Sequence, residues 1–169
     1  MAPLVRRSWA PAGQTPILRQ RTRRHVKVSA IAALVVPPAR THIECYFRLH
    51  AGVNIDTART VAFLRQLQAQ LEGPLTIVWD RLQAHRAKAV RHFIRRHRWR
   101  NEFLPPYAPE LNPVEYLWGY EKINPLANAP EFDLTGLLRR VRRATRAAQR
   151  DPALLRGLFH RSGLFLRLH

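Results

Sequence analysis

Residues 75–122 read LTIVWDRLQAHRAKAVRHFIRRHRWRNEFLPPYAPELNPVEYLWGYEK, and two carboxylates frame the stretch, Asp80 and Glu115. Asp80 closes an apolar run (Leu75, Ile77, Val78, Trp79) with the length and β-branched content of a buried strand. An acid at the carboxyl end of such a strand faces the crevice in which α/β sheets bind ligands. Glu115 follows a proline-stiffened loop. Asn112 reads as an N-cap and Pro113 as the first helical residue, which puts Glu115 three positions after the cap.

Each acid also has a structural explanation. Asn112 and Glu115 have the spacing of a capping box, in which the glutamate only bonds back to the cap's N–H. Asp80 reads equally as a turn aspartate. Of the four aspartates, Asp56, Asp133 and Asp151 each stand near a helix start, where an acid is expected. Asp80 does not, because its helix is expected to begin several residues later, near His85.

Asp80 with His85 five residues on, followed by LPPYAPELNPVEYLW over residues 104–118, resembles the catalytic core of DDE-superfamily transposases. The nearest branch is the bacterial insertion-sequence group related to mariner-like elements. Its motifs are an Asp after a hydrophobic strand and then L-P-x-Y-[SA]-P-x-L-N-P-[IV]-E-x-x-W. The 35-position separation of Asp80 and Glu115 fits that branch, and SWAPAGQTP at Ser8–Pro16 is similar to the text following the family's first motif.

The chain has 169 residues, one domain's worth of core, with 29 Lys and Arg against 11 Asp and Glu, a net charge of +18. The excess is spread along the sequence and makes nucleic acid the first partner to consider. A single cysteine, Cys45, excludes an intrachain disulfide and fits a reducing cytoplasm. No apolar run approaches the ~20 residues of a membrane span, and the N-terminus lacks the apolar stretch of a signal peptide. The localisation expected is bacterial, cytoplasmic and nucleoid-associated.

Residues 1–25 are basic and turn-rich, either a solvated hairpin or a phosphate-binding arm carrying Arg19, Arg21, Arg23 and Arg24. Val26–Val36 and Thr41–His50 read as two antiparallel strands, the second with Ile43, Cys45, Phe47 and Leu49 on its buried face. A helix capped at Asn54 or Asp56 buries Phe63, Leu64, Leu67 and Leu71. A second helix, His85–His97, buries Val90, Phe93 and Ile94 and turns Arg86, Lys88, Arg91 and Arg95 outward. That same-sign crowding points to an anionic partner. Trp99–Leu104 reads as a short strand. Trp118 reads as core in preference to a base-stacking residue, and Lys122 joins the candidate DNA contacts. Basic helices fill residues 131–169. The order of elements is an α/β layer pattern.

The resemblance implies a ribonuclease H-like mixed sheet flanked by helices, in a single endonuclease/transposase domain over residues 1–169. It implies DNA transposition, with strand cleavage and transfer at a two-ion Mg²⁺ (or Mn²⁺) site held by three acids, of which Asp80 matches the second and Glu115 the third. The first acid and the central strand that carries it have no counterpart here. The chain is therefore expected to be N-terminally incomplete and, alone, an inactive, weak, sequence-indifferent DNA binder. Expected partners are transposon-end and target DNA, a second copy of the chain in a homodimer, and an upstream reading-frame product supplying the first Asp. The competing reading is a non-catalytic basic nucleic-acid-binding remnant.

Overall fold

The computed structural model describes residues 27–123, 126 and 133–163. The expected arm over 1–25, with Arg19, Arg21, Arg23 and Arg24, lies outside them. Strands β1 (Val28–Val35) and β2 (Glu44–Ala51) pair antiparallel, with Val28 opposite Ala51 and Val35 opposite Glu44. Strands β3 (Thr76–Trp79) and β4 (Arg100–Phe103) pair parallel, from Thr76 opposite Arg100 to Trp79 opposite Phe103. Between and after them come α1 (Thr57–Gln70), α2 (Lys88–Arg96), α3 (Pro113–Ile123), α4 (Leu134–Gln149) and α5 (Pro152–Arg161). Where one mixed sheet is expected, the described residues form two two-stranded sheets.

The β1–β2 pair is covered on both faces. Ala32 and Leu34 of β1, with Ile43 and Cys45, pack against Leu117 of α3, Ala148 of α4 and Leu155, Leu158 and Phe159 of α5. Ile31, Ala33 and Tyr46 face the other way, onto Phe63, Leu64 and Leu67 of α1 and Val90 and Ile94 of α2. Strict period-2 alternation in β1 thus feeds two helical layers at once. Tyr46, on the face of β2 opposite Cys45, is partly buried against these helices for this reason. Ile77 and Trp79 of β3 join the same α1–α2 cluster, so these two helices bridge both sheets. Val78 on the opposite face is 52% exposed, so the β3 run is buried on one side only, not on both as its sequence suggests.

Local chemistry sets the helix boundaries. Side-chain oxygens of Asp56 and Asp151 accept from the N–H groups of Arg59 and Leu154, each at 2.9 Å, and Asp133 caps α4 in the same way at Gly136. Each cap satisfies an N–H of the first helical turn that would otherwise lack a partner. Gly73 takes a φ of 77° and Pro74 follows, which turns the chain out of α1 towards β3. The second helix starts at Lys88, later than expected, because residues 83–86 form turns. No helix among the described residues is long and apolar enough to cross a membrane.

Candidate functional site

Parallel pairing of β3 and β4 brings the loops that follow both strands side by side. The Leu104 N–H donates to the Trp79 carbonyl at 2.9 Å, one step past the strand ends, and Arg81 Nε donates to the Leu104 carbonyl at 3.3 Å. These bonds fasten the Asp80 segment to the start of the proline loop. That loop runs through a short 3₁₀ turn, Pro109–Leu111, into α3. The result is a cleft of about 370 Å³ walled by Asp80, Arg81, the loop Leu104–Pro109, Asn112 and Glu115. The two acids, 35 positions apart in sequence, line it together.

Asp80 is oriented by its own turn. One carboxylate oxygen, Oδ1, accepts from the Leu82 N–H at 3.0 Å and from His85 Nδ1 at 2.7 Å. An ionised carboxylate only accepts, so Nδ1 is the protonated nitrogen of the ring. The His85 ring stacks on Trp79, centroids 4.2 Å apart and planes within 5°, and Trp79 Nε1 donates to Asn101 Oδ1 at 2.8 Å across the strand pair. A chain of contacts from β4 through Trp79 and His85 thus fixes the Asp80 carboxylate. The His85 bond, helped by the Leu82 N–H and opposed by desolvation, holds the Asp80 carboxyl below the usual carboxylate range. Its second oxygen, Oδ2, makes no hydrogen bond among the described residues. This bonding also explains the late start of α2: His85 is held in the turn by Asp80.

Glu115 lies exposed in the first turn of α3. The capping box does not form. The Asn112 N–H donates to the Pro109 carbonyl at 3.0 Å, and Asn112 Oδ1 accepts from the Val114 N–H at 3.1 Å. Asn112 therefore caps the helix without help, and the Glu115 carboxylate has no hydrogen-bond partner among the described residues.

Two further acids, Glu44 and Asp56, are engaged elsewhere. Glu44 accepts from the Tyr46 hydroxyl and bonds His42, and these contacts hold its carboxyl below the usual range. Asp56 caps α1. No group of three His, Cys, Asp or Glu side chains is gathered as a metal cluster among the described residues.

Of the proposed DNA contacts, Arg86, Lys88, Arg91 and Arg95 are exposed around α2, and Lys122 is half-buried on α3. Lys88 also lines a second, wider groove of about 720 Å³ between α1 and α2, with Arg65, His92 and Arg96. Sequence reasoning misses Arg65 because no periodic signal links a cation on one helix to those on another. It misses Arg81 and Tyr107 as well, both in the wall of the acid cleft; adjacency to Asp80 and to the proline pair is the available signal.

Two helical layers around the β1–β2 pair, with the loops after a parallel strand pair forming a shared cleft, make an α/β fold, which resembles the ribonuclease H-like catalytic domain of Mos1 transposase. The chain belongs to the DDE superfamily of endonucleases, whose family model matches residues 2–132. No curated relative matches it. Among solved structures, the mariner Mos1 paired-end complex with Mg is similar at a TM-score of 0.64 and 18% identity, covering 96% of this chain and 50% of that one. The same complex with Mn gives 0.61 and 19%, again over 96% and 50%. The catalytic domain of Mos1 mariner transposase gives 0.50 and 16%, over 83% of each chain. At these identities the likeness is one of fold. This chain spans about half the length of the transposase chains in the two complexes.

Proposed function

We propose that this chain acts in DNA transposition as part of a DDE transposase, with Asp80 and Glu115 as two of the carboxylates that hold Mg²⁺ or Mn²⁺ at the scissile phosphate. The observation that carries this reading is the shared cleft: two acids from distant segments of a DDE-superfamily chain line one solvent-open space. A hard divalent cation fits what is there. Carboxylate oxygens are the donors it prefers, and Mg²⁺ commonly takes only one or two of them and keeps several waters. Asp80 offers an ionised group with Oδ2 free, and Glu115 a carboxylate unbound to protein among the described residues.

When bound, a pair of such ions activates a water and stabilises the leaving oxygen of a phosphodiester. The chain's own residues supply orientation. His85, braced on Trp79, keeps Asp80 deprotonated and aimed. Arg81 is held by the Leu104 carbonyl and over the Phe103 ring, 5.8 Å from its centroid, leaving a cation beside the acids for a phosphate oxygen. The exposed cations Arg86, Lys88, Arg91 and Arg95 attract the DNA backbone without reading its sequence, and the chain works where the DNA is, at the nucleoid.

We further infer that a third carboxylate completes the reaction, and that the described residues bind a cation and DNA but do not by themselves transfer strands. Calorimetric titration with Mg²⁺ or Mn²⁺ tests the assignment. Binding should be lost in both Asp80→Asn and Glu115→Gln. A chain that shows no cation binding sensitive to either change, yet keeps a steep salt dependence for DNA, is the non-catalytic nucleic-acid binder.

A further inference from the structure

Tyr107 stands apart from every other aromatic residue described. It is 101% exposed, and its backbone φ is 58°. Positive φ is rare for any residue with a side chain and a true outlier for a bulky one. Pro106 before it and the turn around it match the type II pattern, whose third residue is normally glycine because only glycine takes that conformation freely. A tyrosine has been placed where turn chemistry asks for glycine.

Neither folding nor packing accounts for it. The Tyr107 ring touches no other ring among the described residues, and its hydroxyl has no hydrogen-bond partner among them. Exposed apolar surface and backbone strain both oppose the native state here, a combination that persists at sites where the side chain has work to do. Tyr107 is one of the residues around the same cleft as Asp80 and Glu115, with its side chain free in solvent at the rim. Pro105, Pro106 and Pro109 flank it, each with φ fixed by its own ring, so the platform is rigid before anything binds.

We infer that Tyr107 is a stacking platform for one unstacked nucleobase, next to the phosphate presented to Asp80 and Glu115. It is a positioning residue: by gripping the neighbouring base it selects which phosphate stands before the acids. The inference rests on the reading of the cleft as a DNA site. A nucleobase suits the surface better than a protein partner does. A lone ring among prolines offers far less than the roughly 800 Å² per side of a stable protein interface, whereas one aromatic face is all that base stacking requires. The net charge of +18 draws in the polyanion that brings the base.

The test uses a short single-stranded oligonucleotide carrying the fluorescent base analogue 2-aminopurine, titrated with the full chain in EDTA. Stacking quenches the analogue. The wild type and Tyr107→Phe should quench it alike. Tyr107→Ala and Tyr107→Gly should abolish the quench and weaken binding by roughly 5- to 150-fold, the range for losing one base–aromatic stack. Tyr107→Gly should unfold at a temperature no lower than the wild type, since glycine relieves the positive φ. An unquenched wild-type complex, equal quenching by Tyr107→Ala, or loss of the quench in Tyr107→Phe would each overturn the proposal. Working in EDTA separates it from the cation site. Cation binding indifferent to Asp80→Asn would sink that site while leaving the platform standing.

Discussion

Replacing Glu121 by glutamine should stabilise this protein at neutral pH and above and leave it nearly unchanged below about pH 4.5. Glu121 lies on α3, four residues after Leu117 and on the same face, and both side chains are 0% exposed. Its two carboxylate oxygens have no hydrogen-bond partner among the described residues. The Thr145 hydroxyl beside it gives its proton to the Val141 carbonyl at 3.0 Å, so it offsets only part of the cost. Burial pushes the Glu121 carboxyl from 4.5 up to about 7. For an acid, a raised folded-state value means that the native state holds its proton longer than the unfolded chain does. Stability is therefore greatest below about 4.5 and is lost progressively as pH rises through about 7. At 1.36 kcal/mol per unit, the ionised form costs about 3 kcal/mol at pH 8. For a domain of this size that corresponds to about 6–12 °C in melting temperature. Urea unfolding of the wild type and Glu121→Gln, side by side from pH 4.5 to 8, isolates the effect, because every other titrating group is common to both chains. The stability difference should open by about 3 kcal/mol across that interval. A difference that stays constant with pH, or a variant less stable than the wild type at pH 8, would refute the reasoning and show that the buried carboxylate has a stabilising partner.

Three other outcomes follow from the same geometry. In His85→Ala the bond that lowers the Asp80 pKa is gone, so cation binding, which fades as pH falls through the Asp80 pKa, should fail at a higher pH than in the wild type; a Mn²⁺ titration across acid pH reads this. Changing Arg86, Lys88, Arg91 and Arg95 together to glutamine should flatten the plot of log affinity for duplex DNA against log salt by about 3 to 4, at about 0.9 for each phosphate no longer neutralised. Burial, aided by the charge of Glu121, pushes the Cys45 thiol up to about 12, so a thiol reagent at neutral pH should label it only as fast as the chain unfolds.

Much of this architecture can be read from residue pattern, and the exceptions share a cause. Asp56, Asp133 and Asp151 cap helices where their positions say they should, because capping is a contact between residues three apart. The pairing of β1 with β2 and the stripe of Phe63, Leu64 and Leu67 follow from periodicity alone. What periodicity cannot state is which faces of a strand are covered. Tyr46 is partly buried and Val78 is exposed because helices lie over one face of β3 and over both faces of β2. The turn at His85 reads as helix in the sequence, but a side-chain bond to Asp80 outcompetes the first helical turn. Glu121 draws no notice in the sequence, although its i+4 spacing from Leu117 puts it on the apolar stripe. Within the acid cleft, the motif draws attention to Asp80 and Glu115, while Arg81 and Tyr107 emerge only once the two loops lie side by side.

We propose that Asp80 and Glu115 would hold a divalent cation in the cleft they share. Paramagnetic broadening by sub-stoichiometric Mn²⁺ in an amide NMR spectrum measures this directly, because each resonance fades with its distance from the bound ion. Amides of Asp80–Leu82 and of Val114–Tyr116 should fade together, at the same Mn²⁺ concentration, and both sets should be restored by either Asp80→Asn or Glu115→Gln. Fading confined to one segment, or centred on other acids such as Asp56 or Glu72, would contradict the account.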